Sequence, residues 1–105
     1  MKVYIVLDSF NNGGIRMDKD DGYGERDDKF RACFREFDRA WTYLCMLIEH
    51  ECQWFKGVYN RHPNNYNEPC TTFAESDSEH SAEVHLEHRC GKKMQYSAQI
   101  VEVEI

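Results

Sequence analysis

The nineteen residues Glu36-Phe-Asp-Arg-Ala-Trp-Thr-Tyr-Leu-Cys-Met-Leu-Ile-Glu-His-Glu-Cys-Gln-Trp54 carry the firmest structural signal in the chain. Phe37, Ala40, Trp41, Leu44, Leu47 and Ile48 recur at three- and four-residue steps, the spacing that lines up one face of an α-helix. Arg35, Arg39, Glu49 and Glu51 mostly fall off that stripe and are expected in solvent. Gly57, just past the last periodic residue, is expected to form a left-handed C-terminal cap, where a residue without Cβ fits. A second stripe, Trp41, Cys45, Ile48 and Cys52, borders the first and carries Cys52 to the end of the helix.

Outward from this helix, β signals dominate. Lys2 to Leu7 is a β-rich run suited to a central strand covered on at least one face. From Asp8 to Asp28 the chain turns to asparagine, glycine and aspartate, which predicts an acidic loop or long hairpin with a short edge strand around Ile15 to Met17. Phe30 to Phe34 reads as a second strand leading into the helix, whose first turn holds Glu36 and Asp38, where negative charge suits the helix dipole. Val58 to Ser81 shows no clear period and holds both prolines, so it is expected to be irregular and to need a staple. Glu83 to Cys90 alternates strictly, with Val84, Leu86, His88 and Cys90 on one face; the turn Gly91-Lys92-Lys93 then leads into a strand from Met94 to Ile105. The expectation is one α+β domain over residues 1–105: a main helix on a small antiparallel or mixed sheet, with a long irregular loop held by a metal.

A chain of 105 residues can bury one modest core. The longest apolar run, Val3 to Leu7, falls far short of a membrane span, and no positively charged leader precedes it, so a soluble, cytoplasmic protein is expected. Nineteen acidic against thirteen basic residues give a net charge of −6, the wrong sign for gripping phosphates. An acidic surface can instead meet a basic one, including the groove of a nucleic-acid enzyme, or can simply keep the protein in solution.

Five cysteines, an odd number, argue against a disulfide framework. Cys52, Cys70, His88 and Cys90 form the best candidate metal set, because Zn²⁺ takes four thiolate and imidazole donors and a Cys3His site, once closed, is structural. His88 and Cys90 would act as a pincer from one strand, Cys52 from the helix end and Cys70 from the loop. The intervening lengths of 17, 17 and 1 residues lack the short knuckle of a zinc finger, so ordinary buried thiols and surface histidines stay open as the alternative. His50, His62, His80 and His85 are substitute ligands, and Cys33 and Cys45 are assigned to the core.

The aspartates 18, 20, 21, 27 and 28 do not fit a calcium loop: Gly22 occupies a ligand position and no glutamate stands at the twelfth. They read as a solvated acidic patch for a basic partner. A thiol enzyme would need a neighbouring base, and Cys70 with His80 or His85 is the pair to test. No nucleophile elbow, phosphate-binding glycine loop or metalloprotease helix is present.

The opening Met-Lys-Val-Tyr-Ile-Val-Leu, the Phe34-to-Ala40 helix entry with Trp41 and Leu44, and the terminal Ile-Val-Glu-Val-Glu-Ile resemble small strand-strand-helix-strand phage proteins. Together with the acidity and the Cys52, Cys70, His88, Cys90 set, the chain resembles phage-encoded anti-CRISPR proteins, in particular zinc-containing inhibitors of type II-A Cas9. The resemblance implies a non-enzymatic protein that binds Cas9 and blocks its engagement with DNA, with no small-molecule substrate and no direct contact to nucleic acid. Charge and loop position select Asp18, Asp20, Asp21, Asp27, Asp28, Glu75, Asp77 and Glu79 as the partner-binding positions. The alternatives are a small cysteine-dependent enzyme and a structural protein whose acidity serves only solubility.

Overall fold

The computed structural model describes residues 1–16, 24–76 and 80–105. Its order is β1 (Lys2–Asn11), β2 (Arg26–Phe34), α1 (Phe37–Arg61), β3 (Cys70–Glu75), β4 (His80–Glu87) and β5 (Lys93–Glu104). The strands form one sheet in the order β2-β1-β5-β4-β3, with every pairing antiparallel, and the helix lies across one face. This is the expected α+β arrangement.

The period-two geometry of a strand divides the sheet cleanly. Val6 and Phe10 on β1, Ala82, Val84 and Leu86 on β4, and Met94, Tyr96, Ala98 and Ile100 on β5 face the helix and are buried. Ala40, Leu44, Ile48, Phe55 and Val58 meet them from α1, and Phe10 stacks on Phe55 at 6.3 Å between ring centroids. No helix among the described residues covers the other face. Its half nearest the chain ends is apolar, with Ile5 registered between Cys33 and Val101 and Val3 opposite Val103. Its other half is polar, with Ser97 between Ser9 and Glu83, and Gln95 between Asn11 and His85.

Several expectations require correction. The helix does not stop before Gly57 but runs to Arg61, because Phe55 and Val58 prolong the buried stripe and outweigh the ~1 kcal/mol that an interior glycine costs. His62 caps it instead, donating its N–H to the carbonyls of Val58 and Tyr59. Glu51, three residues beyond Ile48 and four beyond Leu47, lies on the buried stripe and is 8% exposed. Within the region expected to be irregular, Cys70–Glu75 is a strand; it lies at the sheet's edge, so its exposed residues show no apolar alternation. Ile15 and Arg16 belong to no strand, although Ile15 is buried. β4 ends at Glu87, so His88 and Cys90 leave the ladder: His88 bridges to Tyr66 and Cys90 sits in the following turn. Cys33 is not in the core but exposed on the uncovered face, while Cys45 is half-buried and its thiol pKa is raised by that burial. No helix among the described residues is long and apolar enough to cross a membrane.

Candidate functional site

The most unusual chemistry in the fold begins with a charge in the core. Asp8, on the helix-facing side of β1 between Val6 and Phe10, is 1% exposed. A carboxylate buried this deeply needs donors, since desolvating an unpaired charge is very costly. Tyr96 donates its hydroxyl to Asp8 Oδ2 at 2.7 Å, Arg26 Nη2 lies 3.3 Å from the same oxygen and Arg31 Nε 3.5 Å. Arg26 also stacks over the Tyr96 ring at 5.6 Å. Glu51 enters from α1. Burial first, and the Asp8 charge second, push its carboxyl up to about 7, so near neutral pH it is poised between two charge states. The Tyr96 hydroxyl is held protonated far above the ordinary phenol range by burial, then by its bond to Asp8.

The backbone of β2 explains how two arginines reach one carboxylate. Val6 pairs with Ala32 but Leu7 with Phe30, so Arg31 is an extra residue in the ladder. Between the Asp8–Lys29 and Phe10–Arg26 pairs a second residue is inserted. Such bulges re-aim side chains, and here they turn Arg26 and Arg31 toward Asp8. The neighbouring acids stay outside: Glu25, Asp27 and Asp28 are exposed. They border a hollow of about 870 Å³ on the sheet, alongside Arg26, Ser9, Asn11, Gln95 and Ser97. Asp28 also borders a second hollow of about 410 Å³ with Thr72, Ser81 and Glu83. The polar half of the uncovered face is thus rich in acids, and the two arginines interspersed with them each engage Asp8 while staying partly exposed.

Of the expected partner positions, Asp27 and Asp28 fall on this surface. Glu75 lies at the end of β3, the opposite edge strand of the sheet. Asp18, Asp20, Asp21, Asp77 and Glu79 lie outside the described residues. Glu25 and Glu83 join the surface without having been expected there; the alternation of Glu83 with Val84 and Leu86 was the available signal.

The expected zinc donors are only partly brought together. Cys90 donates its backbone N–H to His88 Nδ1 at 3.1 Å, and the His88 ring meets Tyr66 edge-on at 5.0 Å. Cys52 lies on the helix side, where the Thr71 hydroxyl donates to its sulfur at 3.6 Å. Cys70 precedes Thr71 in the strand and so takes the other face, registered with His85. Among the described residues no three histidine, cysteine or acidic side chains converge as a metal-holding group. The pairing of Cys70 with His85 does place the two candidate residues of a thiol–imidazole pair side by side, with His85 Nδ1 3.4 Å from Glu83 Oε1. His80 is on the helix side instead, its ring 4.5 Å from that of Phe37.

No protein-family model matches the chain, no curated protein matches it, and no solved structure matches it.

Proposed function

We propose that this chain is a non-enzymatic, acidic binding protein of the anti-CRISPR kind, which sets the polar half of its uncovered sheet face against the basic groove of a Cas9 effector and blocks DNA engagement. The observation that carries this reading is the placement of charge at the start of β2: Glu25, Asp27 and Asp28 are exposed around a polar hollow, while Arg26, which also lines it, and Arg31 are each engaged with Asp8. A protein competing with DNA for a cationic groove needs surface carboxylates that its own bases do not neutralise. The host-cell cytoplasm is where such a protein would act.

The test is target-DNA cleavage by Cas9 in the presence of the purified protein at rising salt. Wild type should inhibit, less so as salt rises. Asp27→Lys with Asp28→Lys should weaken inhibition at least about tenfold with the melting temperature unchanged, since both side chains are exposed. Absence of any Cas9 complex at low salt would remove the assignment.

A second reading, a cysteine-dependent enzyme, is favoured by one observation: Cys70, His85 and Glu83 stand in the order of nucleophile, base and orienting carboxylate on one face. Selective alkylation of Cys70 at neutral pH, slowed in His85→Gln, would favour it over the binding role.

A further inference from the structure

We propose that two copies of this chain join edge to edge along β3, antiparallel about Thr72, so that the two five-stranded sheets become one continuous sheet.

The two edges of the sheet are not equivalent. Five of the nine residues of β2 are charged, namely Arg26, Asp27, Asp28, Lys29 and Arg31, and the strand carries two irregularities in its ladder. Charges and bulges are how an edge strand is kept from pairing with another chain. β3 has neither protection: Cys70 to Ala74 is uncharged, contains no proline and pairs with β4 without a register shift. Its outer edge pairs with nothing among the described residues. An unprotected row of backbone donors and acceptors is a template for another strand.

What the edge offers matches a second copy of itself. Centring the pairing on Thr72 sets Thr71 opposite Phe73 and Cys70 opposite Ala74, so residues of like face meet and both helices fall on the same side of the joined sheet. Phe73 is 54% exposed although its ring lies 6.1 Å from Trp41. In the pair it reaches the neighbour's Thr71, which with Cys45, Ile48 and Cys52 lines a groove of about 290 Å³ between α1 and β3.

Charge fixes the choice of occupant. Thr71 touches Cys52 and Phe73 touches Trp41, so β3 runs antiparallel to α1. Lys56, one turn beyond Cys52 on the groove wall, therefore lies toward the Pro69 end of the strand. The proposed register puts Glu75 of the neighbour opposite Pro69, on the side of Lys56. Both Lys56 and Glu75 are exposed, and neither forms an ion pair among the described residues. Two symmetry-related Lys56–Glu75 pairs would close the interface, as a two-fold axis requires. Acids also stand near the joint, since Asp28 and Glu83 line a hollow with Thr72 on the face away from the helix, so the two Lys56–Glu75 pairs on the helix side act against that repulsion.

Sedimentation velocity of the full chain under reducing conditions, across the micromolar range, tests this. Wild type should sediment at twice the chain mass and dissociate on dilution. Phe73→Glu should be monomeric with an unchanged circular dichroism spectrum. Lys56→Glu and Glu75→Lys should each weaken dimerisation about tenfold through two equivalent contacts, and the double variant Lys56→Glu/Glu75→Lys should recover it. A wild type that stays monomeric, whatever other strand it captures, overturns the proposal. So does a dimer that Phe73→Glu and Lys56→Glu leave intact, or a charge swap that restores nothing.

Discussion

Tyr96 and Asp8, 88 residues apart in sequence, share a hydrogen bond of 2.7 Å in the centre of the fold, where Asp8 is 1% exposed and Tyr96 fully buried. The bond ties the central strand β5 to β1 by their side chains, and Arg26 and Arg31 then tie β2 to the same oxygen. One carboxylate oxygen therefore holds three adjacent strands, and the outward display of acids on β2 depends on it.

Removing the phenol hydroxyl should be felt as stability first. Tyr96→Phe leaves Asp8 with its two arginines but without its shortest bond, and loss of a buried hydrogen bond to a charged group costs about 2 kcal/mol. Chemical denaturation of the variant should show that loss with an unchanged m-value. A cost near zero would mean that the arginines alone satisfy Asp8.

Glu51 sets the pH dependence. Its folded-state pKa is raised from 4.5 to about 7, so between those values the folded chain binds more proton than the unfolded chain. Its contribution to stability is therefore fully present below pH 4.5, falls as pH rises toward 7 and is flat above that. Glu51→Gln keeps the shape and removes the titration, so it should abolish this fall and exceed wild type in stability at pH 8, by at most about 3 kcal/mol. Denaturation midpoints from pH 4 to 8 for both proteins decide the matter, and parallel profiles would sink the assignment.

Gly13 is fixed by its backbone and by its neighbour. It has φ +60° in the turn after β1, and a Cβ there would overlap the carbonyl oxygen of Lys93 at the start of β5. Gly13→Ala should destabilise by roughly 2 kcal/mol or more, whereas Gly57→Ala, with open space around it inside α1, should stabilise by about 1 kcal/mol. Thermal melts of the two variants should move in opposite directions.

The helix was legible in sequence because its apolar period was continued by tertiary contacts, and β1, β4 and β5 because alternation or an apolar run marks a covered strand. β3 was not, since an edge strand with one weakly packed face needs no apolar alternation. Gly57 misled because local cap chemistry was outweighed by Phe55 and Val58 packing beyond it. The Asp8 cluster was invisible for a different reason: its members come from β1, β2, α1 and β5, and nothing in the local sequence of Asp8 distinguishes a core carboxylate from one that opens a loop. Asp27 and Asp28 are exposed as expected of solvated acids, but on β2 rather than in a loop, and that Arg26 and Arg31 reach Asp8 from among them follows only from bulges in the ladder.

Zinc binding should follow the same geometry. His88 and Cys90 are already adjacent, with Nδ1 of His88 accepting the Cys90 N–H and Nε2 left as the donor atom for a metal. Cys52 lies on α1, on the helix side of β3, while Cys70 takes the strand's other face, and among the described residues neither joins the pair in a group of three donors. Two preformed donors hold zinc far less firmly than four. Elemental analysis of protein purified without chelator should therefore find less than one zinc per chain, removed by mild chelation and by Cys90→Ser but not by Cys52→Ser. One firmly held zinc per chain, lost alike in Cys52→Ser, Cys70→Ser and Cys90→Ser, would instead show that the start of β3 moves to close all four donors around the ion, as the anti-CRISPR resemblance implies.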